Sequence, residues 1–110
     1  MADAIERIRT AINSDKIVIF MKGNRSFPQC GFSAATVEVF NELGVPYSTV
    51  DVLADQEVRD AVKTYSNWPT IPQVFINGKF VGGCDIVREL HSSGELETLV
   101  KSALVESAHQ

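Results

Sequence analysis

Position singles out one cysteine. In Cys30-Gly31-Phe32-Ser33 a thiol ends a polar loop, and an apolar helical periodicity begins at the next residue. A thiolate at a helix N-terminus faces unpaired N–H groups and the positive end of the helix dipole, which can bring its pKa into the range of about 3.5–7.5. Such a sulfur is a good nucleophile and a good metal ligand. A cysteine taken alone is more often a small buried hydrophobe. The helix start and the polar loop around Cys30 turn the balance toward chemistry.

A two-cysteine redox motif would place a second thiol at position 33, where it could resolve a mixed disulfide by attacking the first sulfur. Ser33 cannot do that. Either an external thiol, for which glutathione is the obvious choice, completes the exchange, or the cysteine has another task.

Three more segments carry chemical possibilities. Trp68-Pro69-Thr70-Ile71-Pro72 lies directly before an apolar run, and its two prolines remove backbone donors and fix the chain direction. A rigid turn is one reading. A cis Ile71–Pro72 bond is another, leaving the Ile71 N–H and C=O to pair with an extended peptide as an added strand. Trp68 by itself reads as core. Gly82-Gly83-Cys84-Asp85 lets backbone come close to a ligand and opens a helix whose first amides can hold a carboxylate. Asp85 can pair with an amine or simply cap that helix, and Cys84 reads first as a buried filler. The cations Lys22, Arg59 and Lys63 would ordinarily be solvated, although Lys22 stands at the head of the cysteine loop.

These segments need a scaffold. Ile5, Ile8, Ala11 and Ile12 repeat at helical spacing, so a first amphipathic helix ends near 13–14. A strand over 16–21 and the loop 22–29 lead to Cys30. Phe32, Ala35, Val39, Phe40 and Leu43 then follow a 3.6-residue period up to Gly44, which predicts a helix over 31–43 with those residues inward. A strand over 47–52 precedes a third helix, capped by Asp55 and carrying Val58, Ala61, Val62 and Tyr65. Asn77-Gly78 between apolar runs predicts a hairpin of strands over 73–76 and 80–81. Beyond Gly82-Gly83, Asp85 opens a helix to His91, and Gly94 separates it from a last helix with Leu96, Leu99, Val100 and Leu104. A βαβ unit followed by a hairpin makes a mixed four-stranded sheet, an α/β fold flanked by about five helices.

Composition bounds the possibilities. The 110 residues suit a single domain over 1–110, with a frayed tail expected from Glu106. Hydrophobic residues at 45% and charged residues at 22% are ordinary for a globular protein. A net charge of -4 without a basic run argues against nucleic acid as a partner. The longest apolar run, 17–21, is far below the ~20 residues that span a membrane, so no membrane association is expected. The acidic, helix-like start does not read as a secretory signal, and two cysteines are too few for an extracellular disulfide framework. The expected compartment is the cytoplasm.

Taken together, Met21-Lys22-Gly23, Pro28-Gln29-Cys30-Gly31-Phe32-Ser33, Trp68-Pro69-Thr70-Ile71-Pro72-Gln73 and Gly82-Gly83-Cys84-Asp85 resemble the monothiol glutaredoxins. The likeness runs from about 3 to 103 and includes the loop residues Asn24 to Phe27 that mark the single-thiol class. It implies a thioredoxin fold with a glutathione groove. Lys22 and Arg59 would lie near the glycine carboxylate, Ile71 would pair with the tripeptide backbone, and Cys84 and Asp85 would hold its γ-glutamyl end. It further implies a 2Fe-2S cluster bridging a homodimer, with Cys30 of each chain and one glutathione thiolate per subunit as ligands. Cluster transfer to iron-sulfur acceptor proteins, a part in iron homeostasis and a BolA-like partner follow from the same resemblance. The alternative is a glutathione-dependent oxidoreductase that removes glutathione from proteins, an activity the resemblance implies to be weak.

Overall fold

A computed structural model of the chain describes residues 2–108. The elements run α1 (Ala2–Ile12), β1 (Ile17–Met21), α2 (Gly31–Leu43), β2 (Ser48–Asp51), α3 (Gln56–Ser66), β3 (Gln73–Ile76), β4 (Lys79–Gly82), α4 (Cys84–Ser93) and α5 (Glu95–Ala108). The strands form one sheet in the order β2-β1-β3-β4. β1 pairs with β2 in parallel and with β3 antiparallel, and β3 pairs antiparallel with β4. The expected mixed four-stranded sheet with five helices is the observed architecture. Asn77 and Gly78 turn the β3–β4 hairpin with φ of 55° and 77°, the two positive values that a primed two-residue turn demands.

β1 is buried along its whole length, and its side chains alternate between two cores. Ile17, Ile19 and Met21 face a cluster built by Val37 and Phe40 of α2, Val87 of α4 and Leu96 and Val100 of α5. Val18 and Phe20 face the opposite cluster, formed with Ala4, Ile8 and Ile12 of α1 and with Val58, Ala61 and Val62 of α3. The sheet is therefore the middle of three layers, which explains why β1 reads as an unbroken apolar run.

Several expectations are corrected. The strands expected over 16–21 and 47–52 are each shorter, at Ile17–Met21 and Ser48–Asp51, and β4 is longer than the expected 80–81. Phe32, expected inward, is 62% exposed, and the buried stripe of α2 is Ser33, Thr36, Val37, Val39 and Phe40. Two polar residues occupy that stripe because each hydroxyl oxygen has a partner: Ser33 Oγ accepts from the Lys22 amide at 3.1 Å, and Thr36 Oγ1 donates to the Phe32 carbonyl at 2.9 Å. Leu99 is 43% exposed, with Leu96, Val100 and Ala103 facing inward instead. The N-cap of α4 lies two residues earlier than expected, at Gly83 rather than Asp85, so Asp85 stands inside the first turn. α5 is described through Ala108, and His109 and Gln110 of the tail expected to fray from Glu106 lie outside the described residues. No helix among the described residues is long and apolar enough to cross a membrane.

Candidate functional site

The loop that delivers Cys30 is held by its own backbone. The Gln29 amide donates to the Lys22 carbonyl at 2.8 Å, and Gly23 and Pro28 form a bridge inside that pair. Asn24 Oδ1 then accepts from the amides of Ser26 at 2.9 Å and Phe27 at 3.0 Å, closing the tip as an Asx turn. Two contacts fasten the loop to β2 and its approach. Asp51 Oδ1 accepts from the Gly23 amide at 3.0 Å, and the Arg25 guanidinium lies 4.1 Å from the centroid of the Tyr47 ring while donating to the Tyr47 carbonyl. Gly23 has φ of +88°, and a Cβ there would sit 2.4 Å from the Phe27 carbonyl oxygen, so only glycine fits this corner.

Cys30 is the N-cap of α2, with extended φ of −153° and ψ of 137°, and its carbonyl accepts from the Ala34 amide at 2.9 Å. Its side chain closes no conventional cap hydrogen bond. The thiolate is nevertheless favoured: the Ser33 amide lowers the pKa most, with the Phe32 amide, the Lys22 ammonium and the Ser33 hydroxyl adding to it, while partial burial opposes the shift. This is the effect expected of a sulfur at a helix N-terminus.

Cys30 opens onto a groove of about 550 Å³ that is also lined by Lys22, Arg59, Ile71, Cys84 and Asp85. All six residues singled out in the sequence are thus brought together, from five separate parts of the chain. Asp55 caps α3 as expected, its Oδ1 accepting from the amides of Glu57 at 3.0 Å and Val58 at 3.3 Å. That helix carries Arg59 to the groove, with the Arg59 Nε buried and without a partner among the described residues. The Ile71–Pro72 bond is cis, and the Ile71 amide and carbonyl make no bond to other backbone among the described residues. Because Gly83 and not Asp85 caps α4, the Asp85 carboxylate is exposed at the groove rather than consumed by the helix. Cys84 is buried, and both cysteines are free thiols.

Two lining residues escaped the sequence reading. Lys63, by its residue type an ordinary surface cation, lines the groove with Arg59; its place four residues further on the same helix puts it on the same face. Trp68 read as core, but it also lines the groove, half-buried, with its ring 5.7 Å from that of Phe80. A cationic end (Lys22, Arg59, Lys63), an acidic group at a helix start (Asp85) and a nucleophilic sulfur share one apolar-walled cleft. Such a cleft can hold a short zwitterionic peptide beside the thiol.

Known proteins agree with this geometry. The glutaredoxin family model matches residues 17–81, which spans more than half of the chain. A ycf64-like monothiol glutaredoxin of Synechocystis is 53% identical over 98 residues, covering 89% of this chain and 92% of its own length. The solution structure of reduced poplar apo GrxS14 is similar at a TM-score of 0.81 and 43% identity, covering 91% of this chain and 92% of its own. The crystal structure of a buckwheat glutaredoxin–glutathione complex aligns at a TM-score of 0.84 and 28% identity, covering 93% and 91% respectively. With one thiol at the helix start, a serine three residues on and a thioredoxin fold around them, the chain belongs to the glutaredoxin family as a monothiol member.

Proposed function

We propose that the chain binds glutathione in the Cys30 groove and, as a homodimer, carries a 2Fe-2S cluster for delivery to iron-sulfur acceptor proteins. One observation carries this reading: Cys30 meets a groove of tripeptide size and charge, while the position of a resolving thiol holds a buried serine. The buckwheat relative supports the ligand, since that protein was crystallised with glutathione. In this reading Lys22 and Arg59 take the glycine carboxylate, the Ile71 backbone pairs with the peptide, and Cys84 and Asp85 meet the γ-glutamyl end.

The donor chemistry fits a cluster as cargo. A thiolate of lowered pKa is the usual iron-sulfur ligand type. Among the described residues no three His, Cys, Asp or Glu side chains converge, so the further sulfurs of this reading come from outside the chain. One Cys30 and one glutathione from each of two subunits make four. A part in iron homeostasis and association with a BolA-like protein extend the same reading. Two free thiols suit a reducing compartment, and the cytoplasm is the one we assign.

Anaerobic reconstitution with iron, sulfide and glutathione tests the proposal. Visible absorption should appear together with a shift from monomer to dimer on sizing, and both should vanish in Cys30→Ser. Failure of the unaltered protein to take up a cluster under these conditions sinks the carrier reading.

The lowered Cys30 pKa favours a second reading, a glutathione-dependent oxidoreductase. The Cys30 thiolate would attack the glutathione sulfur of a protein mixed disulfide, releasing the protein thiolate and forming a Cys30–glutathione disulfide. A second glutathione thiolate would attack that bond, yielding oxidised glutathione and the free Cys30 thiolate. Rapid turnover of a glutathionylated substrate without iron would raise this reading above the first.

A further inference from the structure

The wall of the groove formed by residues 68–72 has few backbone donors of its own, because Pro69 and Pro72 have no N–H. Its Trp68 amide is held by the Lys63 carbonyl and Ser66 Oγ, and its Trp68 and Thr70 carbonyls are gathered from beneath by one side chain. Gln73 is fully buried, and its Nε2 donates to the Trp68 carbonyl at 3.0 Å and to the Thr70 carbonyl at 3.2 Å. Both partners are acceptors, so the amide nitrogen must face them, and both of its hydrogens are used. Its Oε1 is buried and finds no donor among the described residues. A buried amide with one orphaned end is costly, and the fold retains it for the two carbonyls it gathers.

The consequence lies one atom further along the chain. The Thr70–Ile71 peptide is trans, the cis bond being the next one, Ile71–Pro72. In a trans peptide the C=O and N–H point in opposite directions. Turning the Thr70 oxygen inward onto Gln73 therefore turns the Ile71 N–H outward, on the side where Ile71 lines the groove. We propose that Gln73 is a positioning residue that locks this peptide plane and so aims the Ile71 amide at the bound peptide. The role in ligand binding rests on the glutathione reading above; the locking of the plane does not.

Two variants and two readouts separate these. By ¹⁵N relaxation of the ligand-free protein, the Ile71 amide should be rigid, with an order parameter near 0.85, and should fall toward 0.6 in Gln73→Met while the β3 amides of Val74 and Phe75 stay ordered. In calorimetric titration with reduced glutathione, Gln73→Met should bind about tenfold more weakly, with the Cys30 alkylation rate unchanged. Gln73→Glu should recover affinity as the pH is lowered, because its protonated carboxyl regains one donor; Gln73→Met should show no such recovery. A merely structural role would weaken both variants alike at every pH. An Ile71 amide as rigid in Gln73→Met as in the unaltered protein overturns the proposal, whatever the titration shows. If relaxation behaves as expected and the unaltered protein binds no glutathione, the glutathione reading falls and the locked plane stands.

Discussion

The backbone amide of Lys22 donates to Ser33 Oγ at 3.1 Å, tying the first residue of the cysteine loop to the first turn of α2. The residue that denies the chain a resolving thiol is therefore also the one that holds Lys22 beside Cys30. Ser33→Ala removes the one acceptor that amide has among the described residues and leaves a part-buried N–H unpaired, at a cost of about 1–3 kcal/mol. Urea denaturation should show the loss, and the Cys30 pKa should rise because the Ser33 hydroxyl helps to lower it.

The Cys30 thiol should titrate below the ordinary value of an unperturbed cysteine. The rate of iodoacetamide alkylation as a function of pH reports this directly, and Lys22→Gln should move the midpoint upward because the ammonium contributes to the shift. A folded-state pKa below the unfolded one means that the associated stabilisation is complete above the unfolded value and disappears as the pH falls through the folded one. Unfolding measured across that window should follow this sign, and Cys30→Ser should flatten it. An alkylation midpoint no lower than that of a cysteine in an unstructured peptide would contradict the geometry described for the helix start.

Gly23→Ala should disturb the loop from within. The new Cβ would require a left-handed backbone and a 2.4 Å approach to the Phe27 oxygen. Strain of this kind costs roughly 1–3 kcal/mol. The melting temperature should fall, and glutathione titration should show weaker binding, since Lys22 and Cys30 flank the same loop.

Asp85→Ala distinguishes a ligand-facing carboxylate from a helix cap. Loss of a true cap costs about 0.5–2 kcal/mol. Because Gly83 is the cap, Asp85 contributes only its favourable place near the helix dipole, and stability should change by less than about 1 kcal/mol. Glutathione affinity should nevertheless drop roughly tenfold, as expected for losing a hydrogen bond to a charged group. A large stability loss with unchanged affinity would return Asp85 to a capping role.

Much of this protein is written in local pattern. The Asn77-Gly78 turn, the Asp55 cap, the stop at Gly44 and the placing of Cys30 where loop meets helix all depend on residues within a few positions of one another. Backbone sterics and capping act over that range, so sequence alone determines them. Lys22, Cys30, Ile71, Cys84 and Asp85 are legible for a related reason, since each sits in or beside a short segment whose residue types restrict the backbone, whereas Arg59 lies within α3 and only the family resemblance singles it out.

Which side of a helix meets the sheet is decided over longer distances. Phe32 fits the apolar period of α2, yet Ser33 and Thr36 are the residues turned inward, because Ser33 meets the Lys22 amide and Thr36 satisfies its hydroxyl on the helix itself. Lys63 became a groove residue only when α3 docked across the sheet from α2, and Asp85 was freed only when Gly83 took the cap. The Gln73 clamp depends on carbonyls that no periodicity reveals. Sequence pattern reports what neighbouring residues do to the backbone, whereas packing assigns each buried polar group its partner, and that pairing exists only once distant segments have met.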